Sequence, residues 1–385
     1  MEDNTISYNT DKIKPFYALK IFEKGKKIDP LGKKTIHLSL GEPATSLPKE
    51  LINTVEKKLL KKKIGYTEAI GLLELRRSIV KHYFIRYKIK IKVQQVAITS
   101  GASASILLAV LSLFKKGDTL ALIAPGYPCY ANILKAFDIK IFTIHTNIED
   151  DFNIKVSQIE TLPKKVKGII LASPSNPTGA KINRKLLEKI NKICVKKNIT
   201  IISDEIYQGI DYEDNSKEES LLSYNSNGVV INSFSKYFLM TGWRLGWIIS
   251  NEKHIQDISK LAMNLYLSPS SISQYTALET FKYYSYFDNV VQSYIKKRNF
   301  LKSRLSEIGF KKFFIPQGAF YFYIDVSNFT KDSYSFCKKM VEDINITVAP
   351  GIDFDNKKGN SFIRISFAGS EKDLKKALNK IEKWL

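Results

Sequence analysis

The sequence predicts an α/β protein with a large domain, built on a mostly parallel central sheet covered by helices on both faces, and a smaller α+β domain. Three observations carry this reading. From about residue 93, short β-rich runs alternate with helical patterns, as βαβ units require. After residue 280 the alternation stops, and a long helical pattern is followed by isolated aromatic strands. At 385 residues the chain is long enough for one large and one smaller core.

The elements follow in order. "VAITS" (96–100) is a strand that turns at a glycine into the helical "GASASILLAVLSLF". "TLALIA" (119–124) ends at "PGYPCY"; "IKIFTI" (139–144) and "GIILA" (168–172) are further strands, the second ending at "SPSNPTG". A lysine-rich amphipathic helix over 182–197 precedes "ITIISDEIY" (199–207), and "GVVINSFS" (228–235) and "LGWIIS" (245–250) complete the set. Each run is rich in β-branched residues and bounded by turn formers. Beyond residue 280, Val291, Ile295, Leu301, Leu305 and Ile308 recur at helix-like spacings. "AFYFYIDV" (319–326), a helix near 333–344 and the strand "SFIRISFA" (361–368) follow. The expected division is an N-terminal arm and part of the small domain (1–46), a large domain (47–280) and the rest of the small domain (281–385). No proline- or serine-rich linker separates them, so the junction falls in a helix rather than a tether. Internal repeats and low-complexity segments are missing from the sequence.

Composition narrows the function classes. Hydrophobic content of 44% and aromatic content of 12% belong to a packed globular protein. Cys129, Cys194 and Cys337 lie far apart with no CxxC pair, which argues against a metal site or disulfide framework and fits a reducing compartment. The polar start "MEDNTISYNTDK" has no apolar core of a secretory signal, and the longest apolar run, "ILLAVLSLF" (106–114), is too short to span a bilayer. A soluble cytoplasmic protein is expected. The net charge of +22 comes from lysines scattered along the chain, with one tight group, "KKLLKKK" (57–63). Arginine, the better residue for planar phosphate recognition, is confined to positions 76, 77, 86, 184, 244, 298, 304 and 364. No zinc-finger spacing, RNA-recognition signature or basic-zipper pattern accompanies it. The charge reads as a solvated surface, loose anion attraction being the alternative; neither a nucleic acid nor a membrane is expected as partner.

In open α/β sheets, ligands bind beyond the carboxyl ends of the strands. Gly101, Ala102 and Ser103 stand there at a helix start, either as an anion site made by free N–H groups or as an ordinary cap with Ser103 at the N-cap. Asp204 ends an apolar run, so it either faces a cation or several donors or caps a loop. "SNPTG" (175–179) is a turn by composition. In "SFIRISFA", Ile363, Ile365 and Phe367 share one face, and Arg364 with Ser366 looks the other way, toward a cavity or water. Lys236 lies between the apolar run 229–231 and an aromatic, glycine-dotted turn that leads to Arg244.

Together these motifs resemble the class I/II aminotransferases of fold type I, which depend on pyridoxal 5′-phosphate (PLP). The resemblance runs from "LSLGEP" (38–43) to "RISFA" (364–368), through "GYTEAIGLLELR", "TSGASASI", "PGYPCY", "SPSNPTG" and "SDEIYQGI". Its most specific block is "SFSK" followed by "MTGWRLGW". The resemblance implies that Lys236 forms a Schiff base, the internal aldimine, with the cofactor aldehyde. It implies that Asp204 keeps the ring nitrogen protonated, that Tyr207 and Asn176 bond the ring hydroxyl oxygen, and that Tyr127 stacks on the ring. The phosphate would be held by the amides of Ala102 and Ser103, the hydroxyls of Ser233 and Ser235, and Arg244, with Tyr66 reaching in from a second subunit of a homodimer. Arg364, with Asn176 and the backbone of Gly41, would grip the substrate α-carboxylate. A cis peptide before Pro177 is common in the family.

The implied activity is ping-pong transfer of an amino group between an L-amino acid and a 2-oxo acid. A carbon–sulfur β-lyase or an amino-acid decarboxylase on the same fold, and a non-enzymatic binding protein, are the alternatives. Some dicarboxylate-specific relatives carry a lysine in the glycine turn, where this chain has Ser103. "KPFYALKIF" (14–22) and "MNLYLSPSS" (263–271) are expected to line the side-chain pocket, which would suit aromatic or aliphatic side chains.

Overall fold

The structure, a computed structural model, describes residues 9–32, 34–212 and 219–385. Seven strands form the central sheet: β1 (Val96–Thr99), β2 (Thr119–Ala124), β3 (Lys140–His145), β4 (Val166–Ala172), β5 (Thr200–Asp204), β6 (Val229–Ser233) and β7 (Gly246–Ile249). Their order is β1-β7-β6-β5-β4-β2-β3. All run parallel except β7, which pairs antiparallel with both β1 and β6.

The near-continuous apolar runs have a direct cause. Consecutive residues of one strand serve opposite cores, because side chains alternate across the sheet. Ile169, Ile201, Val230 and Ile249 pack in one cluster, and their neighbours Ile170, Ile202, Ile231 and Ile248 in another. Helices close both faces. Ala102–Leu113 packs on Glu252–Leu265 and on β6 and β7, whereas Leu73–Tyr87 packs on β1.

A second sheet of three antiparallel strands, Ala349–Pro350, Phe362–Ser366 and Tyr321–Asp325, forms the smaller α+β part. The chain's first strand, Ile36–His37, pairs in parallel with Ile346–Thr347. The helical pattern after residue 280 is one helix of 25 residues, Tyr284–Ile308. Its buried stripe includes Val291, Leu301 and Leu305, while Ile295 and Ile308 pack on the same core from partly buried positions. It stops at Gly309, whose left-handed φ of 103° ends the last turn.

Two local expectations are corrected. "ITIISDEIY" is a strand only as far as Asp204, because the Asp204 carboxylate then accepts the Ile206 amide at 3.1 Å and turns the chain out of the sheet. Ser103 is not the N-cap of its helix; Gly101 is, with φ 85°. A Cβ there would lie 2.8 Å from Arg244 Nη2, so only glycine fits both the backbone and the neighbour.

Trp247 on β7 tests how much of the large core hangs on one side chain. It is 1% exposed, stands 4.9 Å from the Phe234 ring and donates to the Tyr83 hydroxyl at 3.3 Å. Trp247→Ala should cost about 3–5 kcal/mol, read as a lowered midpoint in urea unfolding.

Candidate active site

Five strand ends build one cavity of about 350 Å³. The turn after β1 brings Ala102 and Ser103; the loop after β2 brings Tyr127; the loop after β4 brings Asn176. Asp204 and Tyr207 follow β5, and Ser235 and Lys236 follow β6. Arg364, from the small sheet, and Gly41, from the N-terminal stretch, complete the wall. The Asn176–Pro177 peptide is cis, as are Ala124–Pro125 and Ser173–Pro174.

Two charges in this wall are buried without a counter-ion. Asp204 is 3% exposed, and its oxygens accept the Tyr130 hydroxyl at 2.5 Å and the Ile206 amide. Burial pushes its carboxyl above the usual range, against the opposing effect of those two donors and of the more distant Lys236 charge. Arg364 is 2% exposed; Nη1 donates to Asn176 Oδ1 at 2.7 Å, Nη2 donates to the Ser39 carbonyl, and Nε has no partner. Its guanidinium lies between aromatic faces, 4.2 Å from the Tyr321 ring and 4.8 Å from that of Phe354. Among the described residues neither charge forms an ion pair.

Lys236 donates to the Gly41 carbonyl at 2.6 Å. Burial and the nearby guanidinium groups of Arg364 and Arg244 lower its ammonium to about 8, against the pull of Glu42 and Asp204. Tyr207 shares a 2.7 Å hydrogen bond with the Tyr321 hydroxyl, and burial raises it well above the ordinary phenol range. Gly41 is required where it stands: a Cβ would lie 1.7 Å from the Tyr321 hydroxyl. On the remaining side, Arg244 lies against the Gly101 turn, near the first two amides of the Ala102–Leu113 helix. These amides have no acceptor within their helix and sit at the positive end of its dipole, so with Arg244 they make an anion pocket.

Eleven residues anticipated from sequence line the cavity: Gly41, Ala102, Ser103, Tyr127, Asn176, Asp204, Tyr207, Ser235, Lys236, Arg244 and Arg364. Two do not. Ser233 stands behind Ser235, its hydroxyl accepting the Ser235 amide at 3.0 Å and lying within bonding distance of Ser235 Oγ and the Leu245 carbonyl. Tyr66 is 85% exposed, outside the cavity of its own chain. Of the two segments expected at the side-chain pocket, 14–22 contributes Phe16, and 263–271 contributes nothing to this cavity.

Sequence reasoning passed over Tyr130 and Tyr321. Tyr130 follows Tyr127, the N-cap residue, by three on the helix that starts at Pro128, so the two side chains lie on one side and their rings meet edge to face, centroids 5.6 Å apart. Tyr321 pairs with Ser366 as Tyr323 pairs with Arg364, so the face that carries Arg364 also carries both tyrosines. No group of side chains able to hold a metal ion is found among the described residues, and no helix there is long and apolar enough to cross a membrane.

Residues 33–381 match the family described as aminotransferase class I and II. The chain is 36% identical to valine–pyruvate aminotransferase of Mycobacterium tuberculosis, over 97% of both chains. It is 35% identical to (5-formylfuran-3-yl)methyl phosphate transaminase of Methanocaldococcus jannaschii, over 96% of both. A crystal structure of an aminotransferase from Mycobacterium tuberculosis superposes with a TM-score of 0.95 at 35% identity, covering 99% of each chain. The aspartate aminotransferase of Thermotoga maritima gives 0.90 at 31%, covering 98% of this chain and 99% of its own.

The lowered ammonium has a direct readout. Competitive acetylation of the cofactor-free protein, read peptide by peptide in a mass spectrometer, should titrate Lys236 near pH 8 rather than the ordinary 10.5. Its reactivity should therefore rise with pH through 8, as the neutral amine becomes the major form.

Proposed function

Because the chain belongs to the class I and II aminotransferases, we propose that it moves an amino group between an L-amino acid and a 2-oxo acid in a ping-pong cycle, with Lys236 as the covalent attachment point of the cofactor. The cofactor is pyridoxal 5′-phosphate, which when bound supplies an electron sink for charge developing at the substrate Cα. The reading rests on one observation: Lys236, a buried carboxylate and a buried guanidinium line the same cavity.

The donor set fits that group. A buried carboxylate with no cation in direct ion-pair contact suits a protonated ring nitrogen, and Asp204 is the one that would hold it. Tyr207 and Asn176 would bond the ring hydroxyl oxygen, and Tyr127 would lie on the ring face. The first amides of the Ala102–Leu113 helix, Ser235 and Arg244 would hold the phosphate, with Ser233 orienting Ser235. Arg364, whose Nε is unpartnered, would receive the substrate α-carboxylate. Lys236 Nζ would carry the proton from the substrate Cα to the cofactor's reacting carbon in the first half-reaction, and in the opposite direction in the second.

The side-chain pocket favours neutral substrates. The cations on the cavity wall are Lys236, Arg244 and Arg364, and each has a role already. Phe16, Leu40 and Tyr127 supply apolar wall, so aromatic or aliphatic side chains are the proposed substrates. The active unit is proposed to be a homodimer in which Tyr66 serves the partner's phosphate site. The exposure of Leu60 (82%) and Tyr66 (85%), with Leu267 also exposed, supports that arrangement. Within each subunit, 47–280 is the proposed cofactor-binding domain, and 1–46 with 281–385 the domain that carries Arg364. The cytoplasm is the proposed location, given three unpaired cysteines of which Cys194 and Cys337 are buried.

The purified protein, given an amino acid panel with 2-oxoglutarate, should produce keto acid and glutamate in equal amounts. Pyruvate and ammonia without an acceptor would instead mark a lyase. Lys236→Ala should lower kcat by about 10³-fold or more, and Arg364→Met should raise the KM for amino acids by roughly 10²-fold. Sedimentation should show a dimer, and mixing Tyr66→Phe with Lys236→Ala chains should recover activity in hybrid dimers.

A further inference from the structure

Phe16 is a wall of the cavity, half-buried and edge-on to Tyr127, with ring centroids 6.3 Å apart. It sits at the N-cap of the helix Tyr17–Ile28, which has no capping side chain of its own. The cap comes from the other end of the chain. Asp353, in the turn Gly351–Asp353, accepts the Tyr17 amide on Oδ1 at 2.8 Å and the Ala18 amide on Oδ2 at 2.7 Å. One carboxylate thus satisfies two orphan donors at the positive end of the helix.

The same turn reaches two more parts of the wall. Phe354 lies 4.8 Å from the Arg364 guanidinium, and its carbonyl accepts the Gly126 amide at 2.9 Å, one residue before Tyr127. Phe16, Ala18 and Phe354 share one hydrophobic cluster. A local serine or aspartate would have capped the helix and tied it to nothing else. A cap 336 residues away in sequence ties Phe16 to the element that packs on Arg364.

We propose that Asp353 is a positioning residue for side-chain selection: through the Tyr17 and Ala18 amides it fixes Phe16 against the cavity, at a set distance from the arginine that receives the carboxylate. This rests on the aminotransferase reading above. An apolar side chain then meets a fixed aromatic wall, whereas a methyl group is too short to use it.

The test compares wild-type holoenzyme with Asp353→Ala, Asp353→Asn, Phe16→Ala and the Asp353→Ala/Phe16→Ala double variant, using phenylalanine and alanine as donors. In Asp353→Ala the ratio of kcat/KM for phenylalanine over alanine should fall about tenfold, chiefly through KM, with Asp353→Asn intermediate. In the Phe16→Ala background the same change should move the ratio by less than about twofold, since neighbours acting through one contact are not additive. Amide hydrogen exchange at Tyr17 and Ala18 should speed up in Asp353→Ala and stay slow in Phe16→Ala. An equal fall for both donors, additive effects in the double variant, or unchanged exchange would each overturn the proposal. A wild-type enzyme that transaminates neither donor would overturn the substrate reading instead, and the exchange rates would still decide whether Asp353 holds the helix.

Discussion

Asp204 and Arg364 are held out of water in one cavity, neither in a direct ion pair among the described residues, and the rest of the fold has to support that cost. Removing such a group from solvent costs several kcal/mol even after relaxation. Partial compensation comes from neutral groups. A tyrosine hydroxyl and a backbone amide serve the carboxylate. An asparagine oxygen, a backbone carbonyl and two aromatic faces serve the guanidinium. None of these removes the net charge, so each group keeps its attraction for a ligand of opposite sign. The two come from different sheets, Asp204 from the end of β5 and Arg364 from the middle of Phe362–Ser366, which makes the packing of the two sheets a requirement of the site.

The single antiparallel strand of the large sheet has its place in this arrangement. Because β7 runs back beside β6, the chain between them, residues 234–245, is an excursion over the strand ends, with Ser233 paired to Gly246 and the Phe234 amide bonded to the Leu245 carbonyl. Lys236 and Arg244 both ride on it. A crossover to a parallel strand would have carried the chain to the far end of the sheet and separated them. Tight return geometry shows in the backbone, where Leu239 and Arg244 take left-handed φ values of 57° and 52°. Lys236 and Arg244, proposed to attach the cofactor and to hold its phosphate, therefore share one loop.

Much of this was legible in sequence because burial leaves a plain trace there. Strands buried on both faces must be apolar throughout, so a carboxylate ending such a run, as Asp204 does, stands out. Arg364 was legible only through the resemblance: it falls on the polar side of an alternating strand, a pattern that a cavity and open water explain alike. What escaped were partnerships rather than residue types. Tyr130 looks like any helix tyrosine until its hydroxyl is found on Asp204. "PGIDFD" has the composition of an ordinary turn, and nothing local says that Asp353 caps a helix at the other end of the chain. Ser233 was misplaced by one step because a strand end must satisfy its own backbone first, and its hydroxyl is spent on the Ser235 amide.

The charges also bear on how one amine would serve as both nucleophile and base in the proposed cycle. Lys236 is lowered first by burial, then by Arg364 and Arg244, while Asp204 and Glu42 pull the other way. With both guanidinium groups bare, a far larger share of the amine is neutral than at an ordinary lysine, as bond formation to an aldehyde demands. An anion at Arg244 cancels one lowering influence, and a carboxylate at Arg364 cancels the other. Each raises the affinity of Nζ for a proton, so the amine becomes a stronger base as the cavity fills. In the proposed cycle, the amine that must first be unprotonated would thus be driven toward accepting a proton by the arrival of the substrate whose Cα proton it takes.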